Sequence, residues 1–234
     1  MKQGRGLICA ATAAQHPSDL TTLIEPVRDK VDVVEIRLDL MAQPEVANCI
    51  TCLPDIPLLF TNRPLWEGGK YSGTEKDRIT VLQDAIAADV AYIDIELDTD
   101  TKLRNEVILA AKDRQTAVIV SNHNFTETPT TQVLEDTLQH MMDSGADIGK
   151  IVTTAQEPTD VIRVLSLLQL SHANQFQLSA FCMGAVGRIS RLATLYLGGC
   201  MSYVAVDDLS ATAPGQFTTE QFHSLIHLFE NNEH

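Results

Sequence analysis

The chain has 234 residues, of which 44% are hydrophobic and 21% are charged, and its formal net charge is -14. These proportions are typical of a globular protein that buries a sizeable core, and they argue against wholesale disorder. The negative charge, with no basic stripe to offset it, argues against binding to nucleic acid or to an anionic membrane.

Eight runs of β-branched and apolar residues, each bounded by residues that break regular structure, predict eight β-strands. They lie at 6–12, 31–39, 56–62, 90–97, 116–122, 148–154, 175–182 and 201–207. The segments between them carry helical signals rather than hairpin turns. Thr128-Pro129 predicts the start of a helix that Gly145 ends, and an apolar helix face runs from Phe222 to Phe229.

This alternation of strands and helices predicts an α/β protein with a parallel sheet, and eight strands are the number that closes such a sheet into a barrel. We therefore expect one domain, a (β/α)8 TIM barrel, over residues 1–234. An open sheet that binds a dinucleotide would need the pattern G-x-G-x-x-G after its first strand, and Ala13-Ala14-Gln15-His16 stands there instead.

The apolar run from Leu7 to Ala14 is too short for a membrane-spanning helix and lacks the layout of a signal peptide. We therefore expect a cytoplasmic protein whose five cysteines are free thiols. The pair Cys49-x-x-Cys52 has no second pair at ligand spacing, and His223 with His227 lacks the glutamate of a zinc-binding helix. We expect neither a metal nor an organic cofactor.

Charged side chains stand where several predicted strands end, which is where barrel enzymes build their active sites. The second strand carries Glu35, Arg37 and Asp39 at alternate positions, so all three are predicted to point into the barrel. Later strands end in the same way, with Arg63 and Glu67 before a Gly-Gly pair, with Asp94 and Glu96, and with His123.

Lys150 opens the apolar run Ile151-Val152-Thr153, where a lone cation is costly to bury. A partly dry barrel mouth favours the neutral amine, which can attack a carbonyl and form an imine. His123, one strand away, could move the protons that such chemistry needs, and Asp94 or Glu96 could fix its tautomer. The imine would serve aldol cleavage, decarboxylation or β-elimination. The alternative is a structural lysine at a strand edge, paired with a carboxylate.

Several motifs occur in order at barrel spacing. They are Glu35-Ile36-Arg37-Leu38-Asp39, Phe60-Thr61-Asn62-Arg63 with Glu67-Gly68-Gly69, Asp94-Ile95-Glu96-Leu97, Ser121-Asn122-His123-Asn124-Phe125 with Thr128-Pro129, Lys150, Met183-Gly184 with Gly187, Ser190-Arg191-Leu192, and Ala213-Pro214-Gly215-Gln216. In these motifs the chain resembles the type I 3-dehydroquinate dehydratases, the Schiff-base class of that shikimate-pathway enzyme.

The resemblance implies that Lys150 forms an imine with the C3 ketone of 3-dehydroquinate, and that His123 moves a proton from C2 to the departing C1 hydroxyl. The products would be 3-dehydroshikimate and water. In the family, Glu67 assists near the ketone, and Asp94 would orient His123. The resemblance also implies the residues that hold the substrate, with Arg191 and Gln216 at its carboxylate and Glu35, Arg37 and Arg63 at its hydroxyls. It further suggests a homodimer.

Two positions depart from the family pattern. Thr212 stands where the family usually has a serine, and it keeps the hydroxyl, so we expect it to retain substrate binding. A family serine on the first strand has no clear counterpart, because Ala10, Ala11 and Thr12 compete for its place. The segment from Leu209 to Gln216 is predicted to be a lid that excludes water from the bound substrate.

Three other functions remain open on the sequence. A class I aldolase would share Lys150 and would bind a phosphate through loops such as the one that carries Gly184 and Gly187. A catalytically silent barrel could sense a cyclic hydroxy acid. A metal-dependent hydrolase would need clustered ligands, whereas the remaining histidines are predicted to lie in helical or terminal segments.

Overall fold

The computed structural model describes residues 4–208 and 212–230. Eight strands alternate with helices, and neighbouring strands pair in parallel. The strands are β1 (Leu7–Thr12), β2 (Val33–Arg37), β3 (Leu58–Thr61), β4 (Tyr92–Glu96), β5 (Ala117–His123), β6 (Ile148–Thr154), β7 (Gln177–Met183) and β8 (Met201–Ala205). Each predicted strand is therefore confirmed.

Helices follow the strands and cover the outside of the sheet. They are α1 (Asp19–Ile24), α2 (Val46–Cys52), α3 (Glu75–Ala87), α4 (Thr101–Lys112), α5 (Thr131–Asp143), α6 (Pro158–Ala173), α7 (Gly184–Tyr196) and α8 (Thr219–Glu230). Short 3-10 helices span Glu25–Lys30, Leu38–Leu40 and Leu65–Glu67. Within the described ranges, none of the helices combines the length and the apolar character needed to cross a membrane.

The strand order is β7-β6-β5-β4-β3-β2-β1-β8, so the first and last strands of this order must meet to close the barrel. They are joined by two bonds rather than by a full ladder. The Cys200 amide donates to the Leu178 carbonyl at 2.9 Å, and the Ser179 hydroxyl donates to the Met201 carbonyl at 2.6 Å. The (β/α)8 barrel predicted from the sequence is confirmed, with its seam between β7 and β8.

Side-chain alternation along the strands divides the core into two layers. The larger layer lies between sheet and helices and includes Ile8, Ala10, Val34 and Ile36. The smaller layer fills the barrel interior with Cys9, Val33, Leu59, Ile119, Ile148, Val152, Phe181, Met183, Met201 and Tyr203. Inward-pointing polar residues continue the interior layer towards the carboxyl ends of the strands.

The predicted start of α5 is wrong by two residues. Its N-cap is Thr130, and the Thr128 hydroxyl instead bonds to the Thr153 hydroxyl at 2.8 Å and to the Thr154 carbonyl at 3.1 Å. Thr128 therefore ties the loop after β5 to the end of β6 rather than capping a helix. The predicted end is right, since Gly145 follows α5 with a positive φ of 79° that favours glycine.

Candidate active site

A cavity opens at the carboxyl ends of the strands, with about 490 Å³ of empty space that is continuous with solvent. Nine of the ten site residues predicted from the sequence line it, namely Glu35, Arg37, Arg63, Glu67, His123, Lys150, Arg191, Thr212 and Gln216. The tenth, Asp94, is fully buried and bonds to the lining residues from below. The fold thus brings together side chains that lie up to 181 positions apart, from Glu35 to Gln216.

Lys150 projects from the middle of β6 into the barrel, and the residue is only 4% exposed. Its Nζ donates a hydrogen bond to Asp94 Oδ2 at 3.1 Å and lies 4.0 Å from the centroid of the Tyr203 ring. The lysine does pair with a carboxylate, as the structural alternative required. It does so inside the cavity, however, where an amine can reach a bound ligand.

Asp94 contacts this amine from the buried side of the cavity. Its carboxylate also forms an ion pair with Arg63 Nη2 at 2.9 Å and accepts a hydrogen bond from the Ser121 hydroxyl at 2.6 Å. Burial opposes ionisation of Asp94, but the Arg63 and Lys150 cations outweigh burial and hold the pKa of this carboxyl well below its ordinary value. Asp94 is therefore a permanent anion at neutral pH.

His123 pairs with Glu67 and not with Asp94, so the predicted orienting role of Asp94 is wrong. His123 Nδ1 lies 2.7 Å from Glu67 Oε2. The reason is local: after β3 the chain forms the 3-10 helix Leu65–Glu67, and Gly68, at a φ of 74°, ends it in the left-handed region. The Phe125 ring packs where a side chain at Gly68 would stand, 2.4 Å from an ideal Cβ.

Both members of this pair are uncharged near neutral pH. Burial, opposed by Arg63, raises the pKa of Glu67 to about 8. Burial, reinforced by the Arg63 and Lys150 cations, holds the pKa of His123 well below its usual range. The pair therefore carries two protons, one on the imidazole and one on the carboxyl. It can release the carboxyl proton and take it up again close to Lys150.

Arg63 reaches the cavity but is already surrounded by carboxylates. Its Nη1 donates to Glu96 Oε1 at 2.6 Å and to the Ser121 hydroxyl at 2.7 Å, and it lies 3.6 Å from Glu67 Oε2. With Asp94 included, three acidic groups contact one guanidinium, and they outweigh burial in raising the pKa of Arg63. The charge of Arg63 thus serves mainly to hold the acidic residues in place.

Arg78 is a buried cation that the sequence analysis missed. It lies on α3, is fully buried, and donates to Glu96 Oε2 at 2.5 Å, to Glu75 and to the Thr99 hydroxyl at 2.9 Å. It does not line the cavity, but through Glu96 it supports Arg63. In the sequence Arg78 directly follows Glu75, Lys76 and Asp77, so no pattern distinguished it from an exposed helical arginine.

The end of β2 contributes one carboxylate and one ion pair. Glu35 Oε1 accepts from the Thr61 hydroxyl at 2.7 Å. Arg37 is held in a fork by Asp39, with both bonds at 2.8 Å. Asp39 does not continue the strand as predicted, because the chain turns into the 3-10 helix Leu38–Leu40. From this helix the Asp39 carboxylate also accepts hydrogen bonds from the backbone amides of Arg63 and Lys70.

Arg191 is the one cavity arginine for which the described residues supply no ion pair. It is 1% exposed, donates from Nη2 to the Pro214 carbonyl at 3.2 Å, and lies over the Phe181 ring at 4.7 Å. Burial lowers its pKa to about 10, which leaves it cationic at neutral pH. A buried cation without a counterion is costly, so this geometry favours an anionic ligand.

The described part of the predicted lid folds against Arg191. The Gln216 Oε1 accepts the backbone amides of Thr212 at 2.8 Å and Ala213 at 3.2 Å, which closes a tight loop at the cavity rim. Leu209, Ser210 and Ala211 lie outside the described residues, and exclusion of water by the segment from Leu209 to Gln216 stays a prediction. On the first strand, Thr12 donates to the Glu35 carbonyl at 3.1 Å and does not line the cavity.

Metal ligation finds no support in the residues that the structure describes, which contain no group of three or more histidine, cysteine or acidic residues arranged to hold an ion. His123 pairs with Glu67 instead, and Asp94 and Glu96 pair with Arg63. The arrangement can bind an anion, present a buried amine to it, and move protons at the amine.

Comparison with known proteins identifies the family to which this chain belongs. The chain matches the family described as Type I 3-dehydroquinase over residues 8–233. It is 41% identical over 195 residues to a 3-dehydroquinate dehydratase of Desulfotalea psychrophila. The matched region covers 83% of this chain and 86% of the relative. A 3-dehydroquinate dehydratase of Haloarcula marismortui is 36% identical over 212 residues, or 87% of this chain and 90% of the relative.

A solved structure agrees. The type I 3-dehydroquinate dehydratase of Clostridium difficile, crystallised with covalent modified comenic acid, superposes with a TM-score of 0.87 at 26% identity, covering 97% of this chain and 93% of that one. Family match, sequence identity and fold point the same way, and the resemblance read from the motifs is confirmed. The chain belongs to the type I 3-dehydroquinase family of hydro-lyases.

Proposed function

We propose that this chain removes water from 3-dehydroquinate to give 3-dehydroshikimate through an imine on Lys150, as a step of the shikimate pathway that leads to aromatic amino acids. The observation that carries the proposal is the position of Lys150, buried in the cavity between Asp94 at 3.1 Å and the Tyr203 ring. The covalent modification named for the Clostridium difficile relative supports covalent chemistry in this family.

The first step joins the substrate to the enzyme. The Lys150 ammonium gives a proton to the pair formed by His123 and Glu67, and the free amine attacks the C3 ketone. One amine proton then moves to the ketone oxygen. The pair returns its proton to the resulting hydroxyl, which leaves as water, and the nitrogen remains bonded to carbon as a cationic iminium.

The second step is the elimination itself. In the basic form of the pair, Glu67 is a carboxylate that accepts a hydrogen bond from Nδ1–H of His123. The other ring nitrogen, Nε2, is then free to take the proton from C2. The electrons of that bond pass to the iminium and give an enamine. Their return expels the C1 hydroxyl, which takes the proton from His123 and leaves as water. Hydrolysis of the conjugated iminium releases 3-dehydroshikimate and restores the Lys150 ammonium.

Substrate binding follows from the distribution of charge. Arg191, a buried cation with no ion pair in the described residues, would hold the substrate carboxylate together with Gln216 and Thr212. Glu35 and Arg37 lie across the cavity and would hold ring hydroxyls. Arg63 is bound to Glu96 and Asp94, so we assign it a positioning role beside any contact with a hydroxyl.

Four broader expectations belong to the same proposal. The whole chain, 1–234, would act as one catalytic domain in the cytoplasm. Two copies would associate through their outer helices into a homodimer, as the family likeness suggests. Each chemical step above uses side chains of this chain, so the proposed reaction calls for neither a metal nor an organic cofactor.

The proposal is tested by incubating the protein with 3-dehydroquinate and following the absorbance of the conjugated enone that forms. We expect steady formation of the enone by the unaltered chain, none by Lys150→Ala, and the unaltered rate by Lys102→Ala, which removes an exposed lysine from α4. An aldolase or a silent sensor would produce no such signal. Enone formation by Lys150→Ala at the unaltered rate would refute the imine.

A further inference from the structure

The aromatic face of Tyr203 lies against the amine of Lys150. Tyr203 belongs to β8, is 3% exposed, and lines the cavity. The Lys150 Nζ is 4.0 Å from the centroid of its ring, well within the range at which a cation is attracted to an aromatic face. The ring itself is held by packing, since it tilts at 42° against Phe181 with the centroids 5.9 Å apart.

The ring, and not the hydroxyl, is the part of Tyr203 that faces the chemistry. Within residues 4–208 and 212–230 the Tyr203 hydroxyl makes no hydrogen bond. Burial raises the pKa of this phenol well above its ordinary value, so it stays neutral and offers no phenolate to pair with Lys150. Tyr203 is therefore not a phenolate base at neutral pH, and its contact with the amine is that of a polarised ring with a charge.

We propose that Tyr203 is a further catalytic residue, whose ring face stabilises the positive charge on the Lys150 nitrogen as the ammonium becomes an iminium. This inference rests on the imine chemistry proposed above. No proton or electron pair passes to Tyr203. The ring acts only through its electrostatic quadrupole, which is negative on the face that the nitrogen meets.

The physical need for such a group arises when water leaves the carbinolamine. At that moment a neutral nitrogen becomes cationic at a residue that is only 4% exposed, where an uncompensated charge is costly. Asp94 supplies one anionic partner, but it is shared with Arg63 and Ser121. The Tyr203 face stabilises the cationic iminium more than the neutral carbinolamine that precedes it, so it favours the loss of water.

The test changes the charge distribution of the ring while keeping its shape. Tyr203→Phe retains the face, and phenylalanine analogues with increasing numbers of ring fluorines at position 203 progressively weaken and then reverse its quadrupole. Each protein is mixed with 3-dehydroquinate and borohydride, and the fraction of protein that carries a reduced adduct is measured by mass spectrometry at equal times.

We expect Tyr203→Phe to form adduct within about threefold of the unaltered rate, and the fully fluorinated ring to form it about tenfold or more slowly, with intermediate rings in order. Tyr203→Leu, which removes the face, should be slowed at least as much. A rate that is the same across the fluorinated series would overturn the inference, because packing alone is preserved in that series.

Two controls separate this inference from other causes. Tyr196→Leu removes a tyrosine that stacks on Phe229 outside the barrel, and it should leave adduct formation unchanged. If the unaltered protein itself formed no adduct, the imine proposal would fail and this inference with it. If the unaltered protein formed adduct and the ring substitutions did not matter, only the role of Tyr203 would fall.

Discussion

Glu67 and His123 form a hydrogen-bonded pair, with 2.7 Å between Glu67 Oε2 and His123 Nδ1, close to the cations of Arg63 and Lys150. Because burial raises the pKa of Glu67 to about 8 while burial and those cations lower the pKa of His123, the pair is neutral at pH 7. Its proton then lies between the carboxyl and Nδ1, which leaves the imidazole proton on Nε2, the nitrogen that acts as the base in the proposed elimination.

The first prediction concerns pH. Loss of the shared proton moves the imidazole proton to Nδ1 and frees Nε2, so the active fraction should increase as pH rises through the pKa of about 8. We expect kcat/KM to rise across this range and then to level off, measured by enone absorbance in buffers of constant ionic strength. A profile that is flat or that falls between about pH 7 and 9 would contradict this assignment.

The second prediction concerns the loss of the Glu67 carboxyl, the group that titrates near pH 8. Glu67→Gln keeps a side chain of the same size beside His123 but cannot ionise, so kcat should fall by about 100-fold and the rise near pH 8 should disappear. The KM should change little, because the proposed site for the substrate carboxylate is Arg191 and not Glu67. Retention of the same rise in Glu67→Gln would show that another group titrates.

The third prediction separates binding from stability at Arg191. Arg191→Met removes a buried cation without an ion pair in the described residues, so the free energy of unfolding should rise by about 1 to 3 kcal/mol while KM for 3-dehydroquinate rises by about 100-fold or more. Urea unfolding and steady-state kinetics measure the two effects.

Arg188→Met, on the same helix, provides the matched comparison. Arg188 bonds to Gln221 and lies over the Phe217 ring, away from the cavity lining, so its loss should leave KM unaltered. If Arg191→Met bound substrate normally, the carboxylate would have to be held by another group.

The fourth prediction concerns Arg78, which lies outside the cavity. Its loss would leave Glu96 buried beside one cation instead of two, so Arg78→Ala should lower the free energy of unfolding by about 3 to 5 kcal/mol. Arg114→Ala removes an arginine that is 45% exposed and pairs with Asp89, and it should cost less than about 1 kcal/mol. Equal losses in urea unfolding would show that the buried network does not stabilise the fold.

Much of the architecture was predictable because barrel strands have a simple period. Alternation along β2 and β4 correctly placed Glu35 and Asp94 on the inward side, and the strand order brought Lys150 of β6 close to them. These positions depend only on local pattern and on the closure of the sheet, both of which the sequence encodes directly.

The partners of the charged groups were harder to predict. Glu67 reaches His123 because of the backbone turn that ends at Gly68, and no strand period describes that turn. Arg78 acts from a helix on a carboxylate of β4, so its role depends on packing between elements. Tyr203 was counted only as part of an apolar strand, since its contact with Lys150 spans the barrel.

The most direct test of the imine is the site at which borohydride fixes the substrate. The protein is reduced in the presence of 3-dehydroquinate, digested, and mapped by mass spectrometry. We expect one adduct of reduced ligand, located on Lys150 and lost in Lys150→Ala. An adduct on another lysine, or none in a protein that still forms the enone, would contradict it.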